Sequence, residues 1–357
     1  MKIKHLLRFS RDWVRRIFGI LLFDIALEPA TLPISNLKHI VFIRWDAKWG
    51  DAIVSSFVFE HLRKTYPEIK ISVVTSVAMS DYFRNYVDVN QVIEIPKRPS
   101  YKRLKILAEQ LGAVDLLVHF SFMKMKDLYF LSEVQAMNVA GLDDEIQRVN
   151  IKLGRDTQGK HFAQKFVVLL EHLGIEAITP KYQVPLNIKA VAKSERFLAM
   201  KGERPLLVIN PYGSSKKRKL NTLTTKKIII EALKLRPNIN IAILSTPETI
   251  SEVHELCINL DRNNVFYYPE CKTIYDAIAL VSKAEWVISV DTAIVHIASG
   301  LNKPLLALYN PGEKNYSNWH PNSNKALTCF AKKVNSLDIN ALNWTQLFAS
   351  LSELLQL

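Results

Sequence analysis

Short apolar runs rich in β-branched residues alternate with amphipathic segments along the chain, and this alternation constrains the fold more than any other feature. The first runs are 39–44, 69–75, 91–95 and 116–120. Between them lie segments whose apolar residues recur at helical spacing, such as 52–66. A repeated strand and helix series is typical of a parallel sheet with helices on both faces.

A second series of the same kind follows a boundary near residue 185. Its predicted strands are 205–210, 240–244, 265–268, 286–290 and 305–309. We therefore predict an α/β protein of two Rossmann-like domains facing an interdomain cleft, with ligands outside the carboxyl ends of the strands. A length of 357 residues is sufficient for two such cores. The predicted divisions are a basic extension 1–35, domains 36–185 and 186–335, and a C-terminal helix 336–357.

Charge and cysteine content limit the partners and the compartment. The formal net charge is +13, which favours a polyanionic partner: nucleic acid, an anionic membrane or a phosphorylated substrate. The three cysteines have no CxxC spacing, which argues against disulfides and a zinc site and for a reducing cytosol. The stretch 141–161 is polar, and we expect a surface loop there.

The N-terminal stretch 2–27 interleaves lysine and arginine with large apolar residues. Its uncharged run, 17–23, is too short to span a bilayer. One interpretation is a helix lying in the plane of an anionic leaflet. The alternative is a helix that packs on its own domain.

The segment Arg44 to Asp51 lies between a predicted buried strand and the next helix. Gly50 permits a tight turn, and the Asp51 carboxylate can cap free amide groups at the start of a helix. The other interpretation is that Asp51 acts as a general base, taking a proton from an attacking hydroxyl.

Two further strand ends carry candidate binding residues. After 205–210 come small hydroxyl residues and four consecutive cations, Lys216 to Lys219, which suit a diphosphate, although a solvated basic loop is the alternative. After 286–290 come Asp291, Thr292 and Ala293, where helix amides could contact a phosphate and the carboxylate could bind sugar hydroxyls. His296 follows on an apolar face, where a core role is more common. No Asp-x-Asp pair occurs, so we expect no metal.

At these places together the sequence resembles glycosyltransferase family nine, the lipopolysaccharide heptosyltransferases with the GT-B fold. The first motif matches Arg44, Gly50 and Asp51, and the second matches Asp291, Thr292, His296 and the Lys303-Pro304 pair. Ala293 replaces the usual glycine, and Lys219-Leu220 stands where relatives commonly have Trp-Pro. Both departures affect the donor side.

The resemblance implies an inverting, metal-independent transfer of heptose from ADP-heptose to a lipid-linked lipopolysaccharide core, with no cofactor, by a peripheral enzyme on the cytoplasmic face of the bacterial inner membrane. The implied catalytic base is Asp51, and Arg44 and Lys48 lie on the acceptor side. The implied donor residues are Ser214, Ser215, Lys217, Arg218, Glu248, Asp291, Thr292, Ala293 and His296.

Three alternatives stay open at this point. A UDP-hexose or UDP-N-acetylhexosamine could replace ADP-heptose on the same acceptor. A nucleotide-sugar epimerase could use the same fold without a lipid acceptor. A non-catalytic protein that binds nucleic acid or membrane would not need Asp51, although no compact aromatic and basic motif favours nucleic acid.

Overall fold

A computed structural model describes residues 2–34, 36–176, 178–333 and 337–357. It divides into two compact units, Met1–Pro180 and Lys181–Leu357. Each unit contains a six-stranded sheet whose neighbouring strands all run parallel within the described residues. The ends of the predicted extension and of the predicted second domain, Ser35 and Asn335, lie outside the described residues.

The first unit has the sheet order β3-β2-β1-β4-β5-β6, with β1 at its centre. The central strand is buried along its whole length, as expected for a strand covered on both faces. The strands are β1 His39–Arg44, β2 Lys70–Ser76, β3 Gln91–Ile95, β4 Val114–His119, β5 Ala136–Gly141 and β6 Ile151–Lys152. The helices are α1 Lys2–Phe23, α2 Trp49–Val54, α3 Phe57–Thr65, α4 Val77–Asn85, α5 Tyr101–Leu111, α6 Met125–Glu133 and α7 Phe162–Glu171.

The prediction of a single helix over 52–66 is wrong: the helical segment starts earlier and is divided into two helices. The structure has α2 from Trp49 and α3 from Phe57, with Ser55 and Ser56 between them. Both serine hydroxyls donate hydrogen bonds to helix carbonyls, Ser55 to Asp51 and Ser56 to Ile53. Side chains that bond the neighbouring backbone compete with helix continuation, which explains the break.

The surface loop predicted for 141–161 is also wrong in part. Gly141 completes β5, and Ile151–Lys152 forms the edge strand β6. The carboxylate of Asp144 accepts hydrogen bonds from the amides of Gly154 and Arg155. Asp144 therefore fixes the backbone that follows β6. The polar composition of this stretch does not by itself indicate such ordered structure.

One side of α1 packs on the first unit, which is the second of the two interpretations of this segment. A Cβ on Gly19 would lie 2.8 Å from the Cα of Met125, so only glycine allows this close approach to α6. Arg16 is buried and pairs with Asp143 and Glu145. Among the described residues, no helix has the length and apolarity required to cross a membrane.

The second unit repeats the arrangement with the order β12-β11-β10-β7-β8-β9. Its core is aliphatic and extends onto the last helix, where Leu347, Leu351 and Leu354 are buried. The strands are β7 Leu206–Asn210, β8 Asn240–Ile243, β9 Val265–Tyr267, β10 Trp286–Val290, β11 Leu305–Tyr309 and β12 Ala326–Phe330. The helices are α8 Ile188–Ala199, α9 Thr222–Leu235, α10 Ile250–Leu260, α11 Ile274–Ser282, α12 Ala293–Gly300, α13 Glu313–Trp319 and α14 Trp344–Leu354.

Candidate active site

Asp51 lies in the first turn of α2, directly after the loop that leaves the central strand β1. The N-cap position belongs to Lys48, which makes no side-chain cap bond, and Asp51 lies three residues further along in the first turn. Ala47 in the same loop has a φ of 53°, a left-handed conformation that is uncommon outside glycine. This turn directs the chain back so that α2 begins beside the carboxyl end of β1.

The Asp51 side chain is 14% exposed, which leaves its carboxylate partly removed from water. Burial, and to a smaller extent the nearby Asp46, raise its pKa to about 6. Lys48, whose Nζ lies 3.6 Å from the Asp51 carboxylate, and Arg44 oppose this shift. A carboxyl group with such a pKa is deprotonated at neutral pH yet basic enough to accept a proton, as a general base requires.

The two predicted acceptor-side cations occupy different environments. Lys48 is largely exposed beside Asp51, whereas Arg44 is buried at the end of β1. The Arg44 guanidinium donates to the hydroxyl of Ser55 and lies 3.9 Å from the Asp46 carboxylate. Arg44 therefore connects β1 to the end of α2 and holds positive charge near both carboxylates.

A cavity of about 550 Å³ opens beside this loop. Trp45, Asp46 and Ala47 form one wall, and the remaining lining includes Lys97 and Lys126. The volume is within the range of small-molecule sites in proteins. Aromatic, carboxylate and ammonium groups around one cavity can bind a sugar that carries anionic substituents.

Asp46 and the pair His119 and Asp127 are site residues that the sequence analysis did not single out. The Nε2 atom of His119 lies 3.3 Å from the Asp127 carboxylate, and the Trp45 ring packs edge-on against the imidazole. Asp127 also lines the cavity. Their position in the sequence could have identified two of them. Asp46 and His119 stand at or just past the carboxyl ends of neighbouring parallel strands, where ligands bind in this class of fold.

In the second unit, the carboxyl ends of β7 and β10 are joined by Asn210. Its side-chain amide donates to the hydroxyls of Ser289 and Thr292, at 3.0 and 2.9 Å. Thr292 is the N-cap of α12 and accepts a hydrogen bond from the amide of Ile294. The start of α12 is thereby fixed at the sheet edge where the predicted donor residues Thr292 and Ala293 lie.

The basic loop after β7 folds back on itself. Tyr212 and Lys219 form an antiparallel bridge, and a Cβ on Gly213 would lie 2.5 Å from the carbonyl oxygen of Arg218. Lys219 pairs with Glu252 and lies over the Tyr212 ring. The loop therefore has a defined backbone shape, and its binding of a diphosphate stays a prediction.

The four cations of this loop differ in their partners. Arg218 Nη1 lies 3.0 Å from the Asp291 carboxylate, and Nη2 donates to the Ser214 hydroxyl. Lys219 pairs with Glu252. Within the described residues, no ion pair involves Lys216 or Lys217, and both side chains are exposed. Ser215, just before them, is exposed as well.

A second cavity, of about 260 Å³, adjoins these groups. Its lining combines polar strand-end groups with apolar side chains from the ends of β8 and α11: Asn210, Tyr212, Leu244, Ser245, Thr246, Pro247, Cys271, Lys272, Thr273, Ile274, Ala277, Thr292, Ala293 and Ile294. Glu248 is exposed next to this lining, and a hydrogen bond from Thr246 lowers its pKa. The shape and mixed polarity suit a nucleotide.

His296 is set apart from the cavity lining. It is 3% exposed within α12, with its ring edge-on to those of Tyr182 and Trp319. Asp291 is also buried, and its carboxylate accepts a second hydrogen bond from Asn315. Among the described residues, no group of three His, Cys, Asp or Glu side chains is placed to hold a metal ion.

The similarity to known proteins agrees with this architecture. The chain is 24% identical over 358 residues to the "Putative lipopolysaccharide heptosyltransferase 4" of Escherichia coli K12, covering 97% of this chain and 96% of that protein. A family 9 glycosyltransferase structure from Veillonella parvula superposes with a TM-score of 0.76 at 15% identity, covering 90% of this chain and 99% of that one. The structure of E. coli ADP-heptose LPS heptosyltransferase II superposes with a TM-score of 0.68 at 15% identity and with the same coverage of both chains.

These similarities confirm the expected GT-B class of fold. A model of the family described as "Glycosyltransferase family 9 (heptosyltransferase)" matches residues 131–343, more than half of the chain. The resemblance inferred from the motifs around Asp51 and Asp291 is confirmed at the level of the family. The protein is a glycosyltransferase that belongs to family 9, the heptosyltransferases.

Proposed function

We propose that the protein transfers heptose from ADP-heptose to a lipid-linked lipopolysaccharide core, with inversion at the anomeric carbon and without a metal ion. The observation that carries this proposal is Asp51, a partly buried carboxyl group with a pKa of about 6 next to a loop that lines a 550 Å³ cavity. The names of its relatives, which include lipopolysaccharide and ADP-heptose heptosyltransferases, support the donor and the acceptor class.

In the proposed reaction, Asp51 accepts the proton of an acceptor hydroxyl as its oxygen attacks the anomeric carbon. The bond from that carbon to the diphosphate oxygen breaks, and ADP leaves with the bonding electron pair. Attack from the face opposite the leaving group inverts the configuration. Lys48 and Arg44 keep Asp51 ionised near neutral pH by opposing the effect of burial.

Fixed positive charge stabilises the diphosphate as it leaves. We assign the principal role to Lys217, with Lys216 beside it, because Arg218 and Lys219 already have carboxylate partners. The amide groups at the start of α12 and the hydroxyls of Ser214 and Ser215 add hydrogen-bond donors. Glu248 remains our candidate for the ribose, and Asp291 for hydroxyls of the donor sugar.

The acceptor side of the proposal rests on the first unit. Lys97 and Lys126 line the cavity next to Asp46, and ammonium groups there suit a phosphorylated core oligosaccharide. An acceptor of this kind is anchored in a bilayer by its lipid. We therefore propose that the enzyme works at the cytoplasmic face of the inner membrane.

The decisive experiment is a transfer assay with truncated core lipopolysaccharide, using ADP-heptose and UDP-hexoses in parallel and with a chelator present. Wild type, Asp51→Asn and the surface control Asp156→Asn are compared. We expect chelator-resistant transfer from ADP-heptose that is lost only in Asp51→Asn. Transfer from UDP-sugars alone would overturn the donor, and epimerisation of a nucleotide sugar without acceptor would overturn the reaction class.

A further inference from the structure

The outer side of α1 carries an apolar stripe, defined as Val14, Phe18, Leu21, Leu22 and Ile25. The first three recur at i, i+4 and i+7, which places them on one face of the helix. Ile25 follows two residues after the helix end. Phe18, Leu21 and Ile25 are 55%, 75% and 67% exposed. Single exposed apolar residues are common, but a contiguous row of large ones marks an interaction surface.

The opposite side of α1 fixes the direction in which this stripe points. Arg16 donates to Asp143, Glu145 and the carbonyl oxygen of Met123. Gly19 lies against Met125, as described above, and Phe23 packs on the core of the first unit. The stripe is therefore held outward by buried contacts on the other side of the same helix.

The charges of α1 indicate what the stripe binds. The helix sequence contains six lysine and arginine residues and one acidic residue, Asp12, which pairs with Lys124. Arg11 and Arg15 are exposed on the same helix as the stripe. An apolar row next to arginines matches the interface of an anionic bilayer, where apolar side chains enter the acyl boundary and cations meet the headgroups.

We propose that the apolar stripe inserts into the interfacial layer of an anionic lipid bilayer, with α1 lying in the membrane plane. The amphipathic sequence of α1, with its arginines next to the stripe, fits this orientation. A protein partner would need acidic groups facing Arg11 and Arg15 as well as an apolar groove. The bilayer supplies both properties in one surface.

This attachment has a direct connection to the cavity of the first unit. Helix α6 contacts Gly19 through Met125, and the next two residues, Lys126 and Asp127, line the 550 Å³ cavity. Docking of α1 thus brings one wall of that cavity close to the lipid headgroups. Resting on the proposed function, this geometry presents the cavity to an acceptor that is itself held in the bilayer.

The test is co-sedimentation of the full chain with vesicles of phosphatidylglycerol and phosphatidylethanolamine, and with phosphatidylcholine vesicles. The stripe variant is Phe18→Ser with Leu21→Ser. The matched control is Ile188→Ser with Met200→Ser, which removes two exposed apolar side chains from the second unit. We expect at least tenfold weaker partition for the stripe variant and no change for the control. Arg15→Gln should weaken binding about fivefold at low salt.

Three outcomes would overturn the proposal: stripe-variant binding equal to wild type, equal binding of wild type to both vesicle types, or a dimer that forms through the stripe without vesicle binding. A second readout separates this proposal from the proposed function. Transfer to acceptor in vesicles should fall in the stripe variant, while transfer to delipidated core oligosaccharide is unchanged. Vesicle binding without transfer to either acceptor would support the docking surface and contradict the proposed function.

Discussion

Arg218 and Asp291 form an ion pair across the donor side of the second unit, with 3.0 Å between Nη1 and Oδ2. Both residues are among the predicted donor residues, and in the structure each neutralises the other. Asp291 is buried, whereas Arg218 is about one-third exposed. The pair therefore holds the loop Ser214 to Arg218 against the end of β10, while Lys216 and Lys217 form no ion pair within the described residues.

Removing only the cation of this pair should destabilise the second unit. Arg218→Ala leaves the buried Asp291 carboxylate with Asn315 alone. Because Arg218 is partly exposed, we expect a loss of about 1–3 kcal/mol in the free energy of unfolding. The measurement is urea denaturation, with Asp291→Asn added to Arg218→Ala. A double variant no more stable than the single one would contradict the role of the uncompensated charge.

Lys217→Ala should raise the Michaelis constant for the donor at least tenfold and lower kcat, because an exposed cation without a carboxylate partner is lost from the leaving-group side. Lys219→Ala is the matched control, since Lys219 already pairs with Glu252. We expect Lys219→Ala to change stability more than donor affinity. Steady-state kinetics with varied ADP-heptose tests both, and equal effects of the two variants would argue against the assignment to Lys217.

The pH dependence of kcat/KM should show an acidic limb near pH 6, the pKa of Asp51. Asp46→Asn removes a neighbouring negative charge and should move the limb to lower pH. Lys48→Met removes a positive charge and should move it to higher pH. Opposite shifts in two variants on either side of Asp51 are hard to obtain from a general structural effect. An unchanged limb in both would assign it to another group.

Asp51→Asn should abolish transfer, with a loss of at least about 10²-fold, and should also stabilise the fold at neutral pH. The folded pKa of Asp51, about 6, lies above the ordinary value of 3.8, so its contribution to stability is present at low pH and lost as pH rises through 6. The gain in Asp51→Asn should reach up to about 3 kcal/mol at pH 7.5 and fade near pH 4. Urea denaturation at both values measures it.

Arg16→Met tests the attachment of α1 to the first unit. Loss of the Arg16 guanidinium leaves the mostly buried Asp143 without its cation. Breaking such a pair lowers the free energy of unfolding by about 3–5 kcal/mol. The effect should appear as early proteolysis near α1, followed by loss of vesicle binding. Arg15→Met, one residue away and exposed, should leave proteolysis unchanged. Identical cleavage in both variants would show that α1 is held by other contacts.

Much of the sheet was predictable because parallel central strands are continuous apolar runs. The bounds of β1, β3, β10 and β11 agree with the sequence analysis. Strand β5 and helix α6 were not predicted, because the sequence analysis assigned no element between 120 and 141, and Ala136–Gly141 contains a single β-branched residue, Val139. The C-terminal helix starts at Trp344 rather than 336, because Leu342 forms an antiparallel bridge with Ala331 and Asn343 is the N-cap.

The sequence predicted where the site residues lie, but not which of their side chains interact with one another. Strand ends in a doubly wound fold converge on one edge, so the sequence order alone brings Asp51 and Asp291 to such edges. The ion pair of Arg218 with Asp291, and the effect of Asp46 on Asp51, depend on side-chain distances that no spacing specifies. The membrane and donor predictions stay predictions.

Asn210 determines how much ordering a donor must impose when it binds. Its amide already holds the ends of β7 and β10 and the N-cap residue of α12 together through Ser289 and Thr292. The entropy of arranging these groups is lost during folding, before any nucleotide arrives. A ligand that binds at this edge therefore meets groups that are already arranged, and ordering them takes less of its binding free energy.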